Sequence, residues 1–488
     1  MPTYDYACDA CGHAFEREQR ITEDAIKKCP KCGKQKARRM ISGGGFILKG
    51  GGWESDLYSG ASNRKSSAPP PTPAPPAARP RTTERMTLGA PSGAASDKPE
   101  RLFTPVFAQL LLTQALFGLG WSMFLVVPKF VVQQFQADPA QVGWITAVPG
   151  IAIVLSIPLV STYIDRFPAR WFMSAGSLMV ALAALGMATL PALDWRIYGY
   201  QALQGLGFVF CFNAGGAMAA NLAPPTSLGR AMSWYGAANL CMNGVSPYIG
   251  ELLQPEYGWR GAYLFAAAAG LLATLFAALL PRQARPERQE TDLHARAGTW
   301  GFMSWSLGRV VISSALSAFA FMAVIAFYQP FALSEGVIEV RNYFFGFVLF
   351  ALAVRFGMGG LSDRVGTHRV ARAAQFAYVV PPLALALLGP NYLFVVGSLH
   401  GLVHGAHFPV MSALAVERVD PRARGRALTL LVGAFNGGTS VASHVLGPIA
   451  KAYTFEAAFV VGAGVALLGA FTLGGAEPSQ LPRDTRVD

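Results

Sequence analysis

Four cysteines stand in two C-x2-C pairs, Cys8-Asp-Ala-Cys11 and Cys29-Pro-Lys-Cys32, with seventeen residues between them. Two thiolates on each of two tight turns can converge on one tetrahedral Zn²⁺. Gly12 and Gly33 follow the second sulfur of each pair and supply the loose backbone a knuckle needs. Two disulfides are the other chemistry this pattern allows, although a cytoplasmic start is reducing. His13 lies beside the first knuckle as a bystander once four sulfurs are available. A core this small would barely fold alone, so a bound metal would supply much of its stability.

A second chemical set lies far downstream. His400, His404 and His407 are spaced by four and three, which places them on one helical face. They fall inside an apolar run. Ionisable groups at that depth are costly, and they line a cavity or relay protons. Histidine titrates near neutral pH and can do either; a purely structural role in packing is the alternative. One helix rarely supplies a whole metal site, which weighs against metal there. His444, on the following apolar run, could approach from the other side.

A third set is duplicated. Ser161-Thr-Tyr-Ile-Asp165-Arg166-Phe-Pro-Ala-Arg170 recurs about two hundred residues later as Gly359-Gly-Leu-Ser-Asp363-Arg364-Val-Gly-Thr-His-Arg369. Each copy follows one long apolar run and precedes another. Other echoes fall at similar offsets: Gln204-Gly205 with His400-Gly401, and Gly236-Ala-Ala-Asn239 with Gly433-Ala-Phe-Asn436. A duplicated charged hairpin between hydrophobic spans suits a two-fold transporter with a cavity between its halves.

Composition supplies the elements that must position these residues. Of 488 residues, 52% are hydrophobic and 14% charged, against about 25% charged in soluble domains. The deficit is local to residues 103–474. A spanning helix needs about 20 apolar residues, and around twelve such runs fit there, which argues against one soluble core. The expected organisation is a small basic module over 1–58, a Pro/Ala/Ser-rich linker over 59–100, a first bundle over 101–281, a polar loop over 282–304, and a second bundle with a short tail over 305–488. The linker composition cannot fold and favours extended chain.

No basic n-region and apolar stretch opens the chain, so a cytoplasmic N-terminus is expected. That places the arginines at 166, 170, 230, 282, 285, 288, 296, 364, 369, 372, 418, 422, 424 and 426 inside. Only Lys129, Arg196, Arg260, Arg341 and Lys451 remain for the opposite loops. The bias fits an even number of spans with both termini inside. It also accounts for the net charge of +12 without nucleic acid. No Gly-x4-Gly-Lys-Ser/Thr loop suggests ATP hydrolysis, and no nucleophile–base set suggests an enzyme.

The second hairpin resembles the cytoplasmic loop signature of the major facilitator superfamily, Gly-x-Leu-x-Asp-Arg-x-Gly-x-x-Arg. The resemblance implies an all-α membrane protein with about twelve transmembrane helices in two pseudo-symmetric six-helix bundles, in a bacterial cytoplasmic (inner) membrane. It implies alternating access for a small organic solute, with protons as the candidate coupling ion. By the same resemblance Gly359, Asp363, Arg364 and Arg369 form a gating latch, echoed by Asp165 and Arg166. The first copy departs from the pattern, with Ser161, Tyr163 and Pro168 at the first glycine, leucine and second glycine. Helices one, four, seven and ten line the cavity in the family, which makes Gln114, Asn213, Gln329 and His404 substrate-contact candidates; interhelical hydrogen bonding is the alternative for each.

Two exporter signatures are only partly matched. Gln201 stands where many proton-coupled drug exporters have arginine before Gln-Gly, and Ser246 and Glu251 replace two glycines of Gly-Pro-x-x-Gly-Gly.

The first sixty residues resemble the FmdB-type zinc-ribbon family of bacterial regulatory proteins. The likeness is carried by the opening Met-Pro-Thr-Tyr-Asp-Tyr-x-Cys, the Cys-Pro-x-Cys-Gly knuckle, and Arg39-Met-Ile-Ser42-Gly-Gly-Gly-Phe46. It implies a small β-rich module holding structural zinc. Its lysines and arginines between 27 and 39 could face nucleic acid phosphates or a protein partner; a solvated basic surface is equally compatible. Two readings of the whole follow: a secondary transporter carrying a zinc module, or a membrane-tethered regulator whose bundle is an anchor or solute sensor. A start at Met86 would yield an ordinary short-tailed transporter.

Overall fold

The computed structural model describes residues 3–8, 14–18, 28–35, 37–39, 102–163, 167–224, 227–282, 303–357, 364–419 and 423–474. Residues 1–50 form a unit of their own, distinct from the remainder of the chain.

In that first unit β1 (Thr3–Cys8) is central, flanked by β2 (Ala14–Glu18) and β3 (Ala37–Arg39), all antiparallel. The register sets Tyr6 opposite Phe15 and Arg39, and Cys8 opposite Ala37. Ahead of β3 the chain makes a tight knuckle. Gly33 N donates to Cys29 O and Cys29 N donates to Lys34 O, each at 3.0 Å. Gly33 has φ +71°, a left-handed conformation that glycine adopts without a Cβ penalty.

The second unit is helical. Its helices are α1 (Pro105–Phe135), α2 (Pro139–Tyr163), α3 (Ala169–Ala188), α4 (Arg196–Leu222), α5 and α6 within Leu228–Ala278, α7 (Trp305–Ser334), α8 (Arg341–Gly357), α9 (Thr367–Leu388), α10 (Leu393–Glu417), α11 (Arg424–Ala452) and α12 (Phe455–Leu473). Nine continuous stretches among the described residues are long and apolar enough to cross a membrane. One of these is 50 residues long and divides at Gly258 (φ 63°, ψ −177°) into α5 and α6. With α8 and α11 the described helices number twelve, as the apolar runs predict.

Small residues set the packing. Gly118 lies against Met242, Gly176 against Cys211, and Gly270 against Ala181, which joins α1 to α5, α3 to α4 and α6 to α3. In the second half Gly346, Gly397, Gly401 and Gly405 carry α8 onto α10, while Gly438 carries α11 onto α7. Helices in lipid gain no hydrophobic drive from one another, so close backbone approach through small residues does this work. The internal duplication is visible here. Gly205 of α4 rests on Pro149 of α2, and its sequence echo Gly401 of α10 rests on Phe347 of α8. The seam between halves includes α2 against α11 and α5 against α8: Gly143 meets Ser443 and Gly447, and Gly244 meets Val348.

One sequence assignment is corrected. Lys129, counted among the outer-loop cations, is only 3% exposed and sits inside α1. An ionised amine survives there because it is paired.

Candidate transport site

Three histidines project from α10 at spacings of four and three, and each is fixed by a different neighbour. His400 is buried and shares a 2.6 Å hydrogen bond through Nδ1 with Tyr343 Oη of α8. His404 is half-buried and does the same through Nδ1 with Tyr378 Oη of α9, also at 2.6 Å. His407 is buried with Nε2 2.6 Å from Gln375 Oε1. Gln375 Nε2 donates to Ser313 O at 3.3 Å. That donation leaves the amide oxygen facing the imidazole, so His407 Nε2 carries the proton. His400 Nε2 and His407 Nδ1 have no hydrogen-bond partner among the described residues.

Aromatic rings close around the stripe. Phe321 of α7 lies 4.7 Å from the His404 ring and 5.2 Å from His400. Phe347 of α8 lies 5.8 Å from His404, and Phe435 of α11 lies 6.0 Å from it. His404 is thus the most accessible histidine of the three, and it sits where α7, α8, α9 and α11 converge. Its surroundings can stack a flat or apolar solute, and its imidazole can carry a proton.

The first half contributes uncharged polar groups. Gln114 of α1 is buried, with Oε1 2.8 Å from Tyr235 Oη; Phe212 O lies 2.9 Å from the same hydroxyl and shares its proton. Ser122 Oγ donates to Asn243 Oδ1 at 2.8 Å, linking α1 to α5. Asn213 of α4 is exposed, beside the stacked pair Phe208 and Phe212. Gln114 therefore serves an interhelical bond, and Asn213 keeps its amide accessible.

Gln329 of α7 is committed elsewhere. Its Nε2 donates to Leu125 O at 2.7 Å and its Oε1 accepts from Lys129 N at 3.2 Å, so it bridges the halves. Next to it lies a pair that residue-level reading missed. Lys129 Nζ is 2.6 Å from Glu251 Oε1, and the two side chains are 3% and 2% exposed. The sequence carried a signal for Glu251, since a carboxylate replaces a glycine of the exporter signature. Nothing in the sequence named its partner.

Of the latch residues, Arg364 and Arg369 are exposed, near and on α9. Asp165, Arg166, Gly359 and Asp363 lie outside the described residues, as does Cys11. Cys8 is described only as the end of β1. Cys29 is 1% exposed and Cys32 half-buried on their knuckle. Two soft sulfurs on one tight turn fit half of a tetrahedral zinc site.

The zinc ribbon domain profile matches residues 1–41. The profile of the Major Facilitator Superfamily matches residues 110–336 and 306–487. Among curated relatives, the multi-drug resistance efflux pump PmrA of Streptococcus pneumoniae is 25% identical over 348 residues, covering 68% of this chain and 86% of the pump. The fosmidomycin resistance protein of Escherichia coli is 23% identical over 389 residues, covering 78% and 95%. Among solved structures, the nucleoside transporter NupG aligns at a TM-score of 0.55 with 17% identity, covering 76% of this chain and 98% of that one. The human organic anion transporter MFSD10 aligns at 0.58 with 17% identity, covering 77% and 100%. Twelve helices in two echoing halves and matches to the family across both of them agree: this chain is a transporter of the Major Facilitator Superfamily, not an enzyme, and it carries a zinc ribbon domain at its N-terminus.

Proposed function

We propose that the chain exports a small, partly aromatic organic solute from a bacterial cytoplasm by alternating access, exchanging it for protons through His404. The observation that carries this reading is the half-buried imidazole of His404, held by Tyr378 and ringed by Phe321, Phe347 and Phe435. Asn213 faces the solute from the first half. His400 and His407, with their hydrogen-bonded neighbours, hold α10 in register and complete the path for the proton. The direction is supported by the relatives, an efflux pump and a resistance protein. The hairpins with Asp165, Arg166, Gly359, Asp363, Arg364 and Arg369 gate the cytoplasmic side, and both termini face the cytoplasm.

Cys8, Cys11, Cys29 and Cys32 hold one Zn²⁺ that stabilises the ribbon. The ribbon serves as an interaction module for a nucleic acid or protein partner, and transport does not depend on it.

The test is flux in proteoliposomes of the full chain, with and without an imposed pH gradient, using the aromatic dyes ethidium and rhodamine 6G as probes. Gradient-driven movement of either probe, lost in His404→Ala, is the expected result. Flux in the parent that ignores the gradient removes the proton from the scheme. Absence of flux for both probes removes this solute class.

A further inference from the structure

Among the described residues, a set of polar contacts between halves gathers at one end of the bundle. They lie at the C-terminal ends of α1, α5 and α7 and the N-terminal end of α8, with Lys451 and Asp138 adding one at the end of α11 and the start of α2. From the first half, Lys129 Nζ donates to Ile338 O at 2.6 Å. Glu251 accepts from Val340 N through Oε1 at 3.2 Å and from Arg341 N through Oε2 at 3.1 Å. From the second half, Gln329 binds Leu125 O and Lys129 N. The Arg341 guanidinium lies 5.6 Å over the Tyr248 ring of α5. Elsewhere along the seam Trp234 packs on Phe356, and Gly433 lies against Ile157.

Lys129 and Glu251 belong to the same half, so their ion pair moves as one body with it. What couples the halves is the grip of that pair on the backbone leading into α8. The Glu251 carboxylate takes two amides at the N-terminal end of α8, where the helix carries partial positive charge and its first N–H groups lack intrahelical partners. Without Glu251 those amides would be buried and unsatisfied while this end is closed. Once the halves part, water satisfies them and hydrates the pair. The contact therefore stabilises one state and not the other, which is the requirement for a gate.

We propose that Lys129 and Glu251 are the gate residues of the arginine-poor side, a charged plug on the first half that docks on the entry to α8 and must withdraw for that side to open. The inference rests on the alternating-access reading. Removing one partner strands a buried charge, whereas removing both does not, so the double variant Lys129→Met/Glu251→Gln is the decisive protein. Glu251→Gln alone and Glu251→Asp complete the series.

Spin labels on p-acetylphenylalanine at positions 134 and 335, exposed at this end of α1 and just beyond α7, report the separation of the halves by double electron–electron resonance in the full chain. The double variant is expected to populate the longer separation several-fold more than the parent, with Glu251→Asp between them. A distribution equal to the parent's, in a double variant that remains folded and monodisperse, would overturn the proposal. Parent flux measured in the same proteoliposomes separates the two readings. Flux with no shift in separation rejects the gate alone, and a shift with no flux rejects the proposed solute and its coupling while the gate stands.

Discussion

At the scale of single residues, the proposed site sets one half-buried histidine beside two buried ones. His404→Ala should abolish gradient-driven flux, a fall of at least about tenfold and so of about 1.4 kcal/mol or more, in a protein that still folds. Tyr378→Phe removes only the hydrogen bond to Nδ1, a loss of about 1 kcal/mol, and should shift the pH dependence of flux more than its maximum. Flux by Tyr378→Phe with the parent's pH profile would show that the phenol does not tune the imidazole. In the ribbon, metal analysis of the purified full chain should find about one zinc per chain, lost with Cys29→Ser or chelation, because thiolates supply the binding energy of such sites. Zinc retained by Cys29→Ser would remove Cys29 from the ligand set. The histidine stripe was legible in the sequence because helical spacing alone puts the three residues on one face. The Lys129–Glu251 pair was not, because its members lie 122 residues apart and only tertiary packing joins them.

At the scale of elements, α8 and α10 are held by a glycine ladder. A Cβ on Gly397 would meet Tyr343 O and one on Gly401 would meet Phe347 O. Gly401→Val should therefore destabilise the second bundle by about 1–3 kcal/mol and lower the thermal midpoint in detergent. Gly464, where nothing lies within 4 Å, is the matched control and should tolerate valine. Equal losses at both positions would show that helix propensity, not interhelical contact, sets the cost. The twelve runs were readable from apolar length and intervening charge. Their ends were less so: α1 continues to Phe135 through a 3-10 turn at Met123–Val126, and α5 continues to the bend at Gly258. Apolar length marks the buried part of a helix; hydrogen bonding carries the helix beyond it.

At the scale of the molecule, deleting residues 1–100 should leave flux unchanged in proteoliposomes, since the helical unit has its own core. Loss of flux would favour a regulatory role for the ribbon over an appended module. A second clasp lies on the α2–α11 seam, where Lys451 Nζ is 2.8 Å from Asp138 Oδ2. Burial opposes ionisation of Asp138, but the Lys451 ammonium and the Gln141 amide outweigh it and hold the carboxyl below its ordinary value. A carboxyl depressed in the folded state contributes fully above its unfolded value of about 3.9 and loses that contribution as pH falls through the folded value. The clasp is therefore intact at neutral pH and released only in acid. Both groups are substantially exposed, so Asp138→Asn should cost under about 1 kcal/mol at pH 7, measured by thermal unfolding, with no difference from the parent in strong acid.

Sequence alone determined the class of this protein, its duplicated halves and the chemistry available in each, because apolar length, charge bias and cysteine spacing are local properties that need no partner. Tertiary structure decided which polar groups remain accessible. It committed Gln114 and Gln329 to other helices, left Asn213 and His404 accessible, and turned an apparent loop lysine into half of a buried ion pair. The reason is that in a bundle interior each polar group needs a hydrogen-bond partner, and three-dimensional packing selects which distant residue provides it.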